Sequence, residues 1–208
     1  MKKIYGILPL TLIILTISSF ALVPQRKEIH CKHFLFGYPY GAPESNDMII
    51  RDPYALSSND DTKFADWVAY RVDKYSMDGP SRTRNWKADP WLDETETLEP
   101  DDYDGAYNTL NTDRGHMAPL GSFDGSPEWF TTNYLSNIMP QSSSLNRGMW
   151  KSIEDTERKL VDTFNFVFVI TGPLYDDEMP AMPGADEPHQ VPGGFWKIVM
   201  VPAGNVLL

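Results

Sequence analysis

Three stretches of this chain carry a clear hydrophobic pattern. Residues 64–72 (FADWVAYRV) are rich in aromatic and β-branched residues and contain neither Gly nor Pro, which predicts a strand. Residues 166–170 (FVFVI) form a continuous apolar run closed by Gly172-Pro173, the pattern of a buried strand. Residues 195–201 (FWKIVMV) predict a third strand. Ahead of the second, Leu145, Met149, Ile153, Leu160 and Phe164 recur at helical spacing behind Gln141-Ser142-Ser143-Ser144. A helix is therefore expected from about Ser144 to Phe164, started on a serine cap.

The other stretches read as loop. Residues 22–60 look irregular, with turn clusters at 38–43 and 57–60. Residues 78–105 are polar and broken by Pro80, Pro90 and Pro100, and their acidic part, 93–104, reads as solvated surface. Residues 176–194 are rich in Pro and Gly. No repeat and no long linker divides the chain. Strands around one long helix give an α+β class. Trp67 and Tyr70 in the first strand are expected in the core, not as stacking platforms for bases.

The N-terminus follows different rules. Met1-Lys2-Lys3 is basic, residues 4–22 are uncharged and mostly apolar, and Ser19-Phe20-Ala21 places small residues at the positions a signal peptidase reads. Residues 1–21 are therefore read as a signal peptide, 22–59 as an arm and 60–208 as the main domain. The expected location is secreted or periplasmic. An uncleaved membrane anchor is the alternative. Export implies an oxidising compartment, yet Cys31 is the single cysteine and has no partner in this chain.

Charge narrows the function. With 18 Lys+Arg against 29 Asp+Glu, a formal net charge of −11 excludes a protein that grips nucleic acid by bulk positive charge. It leaves room for a nuclease, because a local basic patch and a metal ion suffice for phosphates. One cysteine excludes a Cys-rich zinc module.

The chemistry concentrates in the centre. Asp113-Arg114-Gly115-His116-Met117-Ala118-Pro119 sets an acid, a base and an imidazole close together, with Gly115 read as a tight turn and Pro119 as a bar to a helix. A histidine beside a carboxylate suits a general base. A structural His116 is the plainer alternative. Asn133 and Asn137 follow at i and i+4, with turn or cap residues as their plain reading. Asn146 and Glu154 are eight residues apart on the expected helix, two turns and about 80°, and can overlook one site. Carboxamide and carboxylate oxygens suit Mg²⁺, which keeps most of its waters. Against this, Lys151 and Arg158 stand where they would pair with Glu154. Residues 81–87 (SRTRNWK) hold three positive charges and an aromatic, either a phosphate contact or a solvated loop balancing Asp89 and Asp93.

Taken together, DRGHMAP, NYLSNIMPQ, SLNRGMWKSIEDTERKL and VITGPLY resemble the DNA/RNA non-specific endonuclease family, the Serratia-type secreted nucleases. FADWVAYRV, RTRNWKADP and DDYDGAYNTLNTDRGH are similar to its upstream blocks, so the likeness spans roughly residues 60–202. The resemblance implies a mixed sheet with a ββα-metal core and cleavage of DNA and RNA through their phosphodiester backbone, with Mg²⁺ as cofactor and Mn²⁺ as an alternative. It places His116 on the general base, Asn146 on the direct metal ligand, Glu154 on a residue holding a water of the metal, and Arg84 on the arginine facing the transition state. Asn137 falls on a site amide supporting the catalytic geometry. Asp113, Arg114 and Asn133 fall among residues that shape the site or meet substrate. No protein partner follows, and a homodimer stays open. Two departures stand out. Gly37 and Tyr38 lie where a second cysteine would pair with Cys31, and the sequence stops at Leu208, where members continue, so a fragment or a truncated product is expected. A non-catalytic nucleic-acid-binding protein is the rival reading, disfavoured because His116, Arg84, Asn146 and Glu154 are all present.

Overall fold

The computed structural model describes residues 29–202. The segment read as a signal peptide, 1–21, lies outside them. Seven strands and four α-helices follow in chain order: β1 (Asp47–Ile50), β2 (Ala55–Ser58), β3 (Ala65–Asp73), α1 (Lys74–Met77), α2 (Ala106–Leu110), β4 (Thr112–His116), β5 (Ile138–Ser142), α3 (Ser143–Leu145), α4 (Lys151–Phe164), β6 (Phe166–Leu174) and β7 (Gly194–Met200). The class is α+β.

Five strands form one sheet in the order β1-β2-β3-β6-β7, with every neighbouring pair antiparallel. Alternation along the strands sends Val68, Tyr70, Val72, Val167 and Val169 to the main core, which Val161 of α4 joins. Ala55, Trp67 and Ala69 point the other way, beside Ile170 of β6 and Trp196 of β7, and pack with Phe34 and Tyr38. β6 is thus buried on both faces at Val167, Phe168 and Val169, which is why residues 166–170 read as uninterrupted apolar sequence, whereas β7 at the edge leaves Ile198 exposed. Trp67 and Tyr70 are buried, as expected.

A second, two-stranded unit matters more for function. β4 pairs antiparallel with β5, placing His116 opposite Ile138 and Asp113 opposite Gln141. The chain then enters α3 and α4, so strand, strand and helix form one ββα unit. A buried polar triad ties α4 to the large sheet. The Glu157 carboxylate lies 3.0 Å from Lys197 Nζ on β7 and accepts from Tyr70 Oη on β3 at 2.9 Å. Lys197 also donates to Tyr70 Oη at 3.1 Å, so each buried charge has a partner.

Three local expectations need correction. The stretch 22–60 is not irregular throughout: it contains β1 and β2. Ser57 and Ser58 read as turn residues, yet both are buried in β2, where Asn46 Nδ2 donates to Ser57 Oγ; sheet pairing overrides the local preference of serine. Gly115 does not form a tight turn. It lies inside β4 opposite Met139, and a Cβ there would meet the buried Gln141 side chain at 2.3 Å. Pro119 correspondingly follows a strand and opens a 3₁₀ turn at Leu120–Ser122. The helix from Ser144 to Phe164 is not continuous either. Ser142 caps α3 by accepting from Leu145 N at 3.4 Å, and a wide turn over Asn146–Trp150, with Gly148 outside helical geometry, precedes α4.

Candidate active site

Strand β4 and the wide turn before α4 form the walls of an open cleft. Its larger lobe, of about 640 Å³, is lined by Trp86, Tyr103, Tyr107, Asp113 and Arg114 among others. A smaller lobe of about 270 Å³ reaches Lys151, Glu154 and Arg158. Arg84, His116, Asn146 and Arg147 line both lobes.

His116 is buried at the end of β4. Its Nε2 lies 3.2 Å from Asn133 Oδ1, and Asn133 Nδ2 donates to the Thr83 carbonyl at 3.4 Å. That second bond fixes which way the amide faces. With an acceptor opposite Nε2, the proton belongs on Nε2, and Nδ1 keeps its lone pair. Burial lowers the His116 pKa to about 4; the Asn133 bond opposes the shift and the Arg84 charge adds to it. The ring is therefore neutral at neutral pH, the state a base requires. Trp150 Nε1 donates to the His116 carbonyl at 3.1 Å and fixes the backbone beneath it.

Asn146 begins the wide turn. Its Nδ2 donates to Asp113 Oδ2 at 3.1 Å, and Arg147 makes two further bonds to the same carboxylate, at 2.8 and 2.6 Å. Arg147, with burial opposing, holds the Asp113 carboxyl below the usual range. Because its nitrogen is committed, the amide presents Oδ1 as its free donor atom. Glu154 is half-buried in the smaller lobe. Burial raises its pKa to about 7, with the Lys197 charge pulling it down and the Glu157 charge pushing it up. The expected competitors do not hold it: Lys151 and Arg158 both bind Asp155, at 2.8 and 2.5 Å.

Arg84 is exposed at the cleft, with no ion-pair partner among the described residues. Asp89, the carboxylate proposed to balance its loop, is buried and bound to Arg51 and to Ser136 Oγ. Arg114 is half-buried at the cleft wall, donating to the Pro100 carbonyl at 2.7 Å and lying over the Tyr103 ring. Asn137 does not reach the cleft. Its Oδ1 accepts from Ala118 N at 2.9 Å, and its Nδ2 donates to the carbonyls of Ala118 and Thr132 at 3.0 and 2.9 Å. It is a positioning residue that fixes the segment after His116.

The donor set fits a small hard cation. A neutral amide oxygen, a carboxylate and an open, wet cleft suit an ion that keeps most of its waters. Among the described residues, the two acidic clusters capable of gathering three carboxylates, Asp47/Asp60/Glu96 and Glu99/Asp102/Glu187, contribute nothing to the cleft lining. Sequence reasoning missed Tyr103, Tyr107, Arg147 and Trp150 at this site. Arg147 and Trp150 follow Asn146 within the same wide turn, a break that helical periodicity does not reveal.

Residues 34–207 match the DNA/RNA non-specific endonuclease family. The chain belongs to that family. Its relatives include a protein named "Nuclease" from Serratia marcescens, 47% identical over 167 residues, covering 79% of this chain and 62% of the relative. A second "Nuclease", from a Nostoc strain, is 30% identical over 180 residues, covering 81% of this chain and 61% of its own. The chain thus spans about three fifths of the length of these relatives. The fold is shared with a crystal structure of the EndoG/EndoGI complex, with a TM-score of 0.66 and 27% identity over 79% of this chain and 71% of that one. The chain is also similar to a human protein named "Endonuclease G, mitochondrial", 31% identical over 139 residues, 65% of this chain and 46% of that protein.

Proposed function

We propose that this protein is a metal-dependent endonuclease that hydrolyses phosphodiester bonds of DNA and RNA without reading base sequence. One observation carries the reading: a single cleft gathers the neutral His116, the exposed Arg84, the oriented amide of Asn146 and the half-buried Glu154. Hydrolysis needs a base, positive charge on the phosphate and help for the leaving oxygen. His116 accepts a proton at Nδ1 from the attacking water, while Asn133 stabilises the imidazolium through Nε2–H. Arg84 neutralises charge developing on the phosphate, the exposed guanidinium reaching the backbone and no base edge. Asn146 Oδ1 and Glu154 would hold Mg²⁺, or Mn²⁺, directly and through water respectively. When bound, the ion supplies Lewis-acid charge stabilisation at the leaving group.

The same reading extends to location. Residues 1–21 would direct export and be removed. No helix among the described residues is long and apolar enough to cross a membrane. N-terminal sequencing of the exported protein tests cleavage after Ala21. The activity test is conversion of supercoiled plasmid, and of a single-stranded RNA, with Mg²⁺ and with excess EDTA. Cleavage that EDTA abolishes and Mg²⁺ restores is the expected result. DNA binding without cleavage under any divalent cation would assign the chain to the non-catalytic alternative.

A further inference from the structure

A row of aromatic rings and guanidinium groups leaves the cleft along the surface, and the catalytic arrangement uses none of it beyond its first step. Arg82 shares a shallow groove with Arg84, and its guanidinium lies 5.0 Å over the Trp129 ring. Trp129 meets Phe130 edge-on at 6.3 Å, and Phe130 meets Tyr134 at 6.2 Å. Tyr134 and Trp91 then hold Arg51 between them, at 4.9 and 3.8 Å.

Part of this row is structural. Arg51 is buried and bound to Asp89, so its contacts with Trp91 and Tyr134 support the loop. Structure alone does not explain the exposure of the rings: Trp91 is 61% exposed and Phe130 45%. Folding gains nothing from two large rings left in water at either end of one chain of ring contacts, and exposed apolar patches mark binding sites. Charge points the same way. The loop 81–87 runs beside the row, joined to it where Lys87 bridges Tyr134. Arg82, Arg84 and Lys87 have no carboxylate within ion-pair distance among the described residues, although the chain as a whole is acidic. Exposed rings beside cations that no carboxylate neutralises are the chemistry that recognises single-stranded nucleic acid, whose unpaired bases offer π-faces next to phosphates. Bases in a duplex are stacked on one another and offer only edges.

We infer that this row is a binding track for a single strand of DNA or RNA, taking the bases that flank the scissile phosphate as the strand leaves the cleft past Arg84 and Arg82. The inference rests on the endonuclease reading, which fixes where the strand starts.

Binding is measured by fluorescence anisotropy with EDTA present, so that no cleavage occurs. The probes are labelled single strands of about twenty and about four nucleotides, and a duplex of about twenty base pairs. Phe130→Ala and Trp91→Ala are each expected to weaken binding of the long strand by about 5- to 150-fold, the range for loss of one stacked base. The long-to-short affinity ratio falls accordingly, and the duplex is much less affected. Phe130→Tyr and Trp91→Phe, which keep a ring, restore the ratio and separate stacking from any loosening around Arg51. An unchanged ratio in both alanine variants, or an equal loss on the duplex, overturns the track. Failure of the endonuclease reading is a separate outcome, seen as absence of cleavage by the unaltered protein with Mg²⁺, and does not enter the affinity ratio.

Discussion

Asn146 donates its amide nitrogen to the Asp113 carboxylate at 3.1 Å, so a residue of β4 decides which atom the wide turn offers to the cleft. Asp113 is itself held in place by two bonds from Arg147. Removing the anchor while keeping the ligand separates orientation from ligation. Asp113→Ala is expected to weaken Mg²⁺ binding by about 10- to 100-fold, the usual effect of losing a group that orients a ligand. Titrating activity against Mg²⁺ checks this: saturating metal recovers much of the rate in Asp113→Ala and none in Asn146→Ala. Equal loss in both at saturation would show that Asp113 acts on something other than the amide.

Arg84 makes no ion pair among the described residues, so its charge is available to substrate. Arg84→Ala should lower kcat by more than it raises KM if the guanidinium acts on the transition state. Arg84→Lys should recover only part of the rate, because an ammonium lacks the two-pronged contact. A change confined to KM would assign Arg84 to uniform phosphate binding.

His116 is neutral over most of the accessible pH range, since burial lowers its pKa to about 4. The acid limb of kcat/KM set by this base should therefore lie well below the ordinary histidine value of about 6.5. Raising Mg²⁺ should leave that limb in place. A limb near neutrality that moves with Mg²⁺ would instead report Glu154, whose burial-raised carboxyl titrates near 7. His116→Ala should lose about 10²- to 10⁴-fold in rate while still binding DNA by gel shift at fixed salt. Loss of both DNA binding and the cooperative melt would make His116 structural.

His33 supplies a stability test far from the catalytic residues. It is buried; Nδ1 accepts from Arg71 N at 3.3 Å and Nε2 donates to the Arg51 carbonyl at 3.0 Å, a pattern only the neutral ring satisfies. Burial lowers its pKa to about 4. The unfolded chain binds the proton first, so this contribution is fully present above about pH 6.5 and is lost as pH falls toward 4. The stability advantage over His33→Gln should shrink by about 3 kcal/mol across that window. Chemical denaturation of both proteins at several pH values measures it, and a pH-independent difference would contradict the assignment. Using the difference removes Glu99 and Glu154, whose raised pKa values act in the opposite direction over an overlapping range.

The long elements were legible in the sequence because burial repeats along them: β3, β6 and β7 start and end within a few residues of their patterns. β1 and β2 were not, because four residues each carry too little periodicity and Ser57-Ser58 mimics a turn. Of the residues lining the smaller lobe, His116, Arg84, Asn146 and Glu154 were named through the resemblance. What the pattern left hidden is the supporting layer. The resemblance named Asn133 and Asn137 but not the bonds they make, and it passed over Trp150; no local spacing encodes that His116 Nε2 faces one amide while its carbonyl faces an indole.

Gly148 breaks the helix between Asn146 and Lys151, and a Cβ there would meet nothing beyond its own turn within 4 Å. An unbroken helix would fix the angle between Asn146 and Glu154 by its own winding, so any shift of α4 against the sheet would swing the amide with it. The break uncouples the two. Core packing sets α4 through Val161 and the Glu157–Lys197 pair, while β4 sets Asn146 through Asp113. The core beneath the helix is thereby free to drift in sequence without turning the amide away from the cleft.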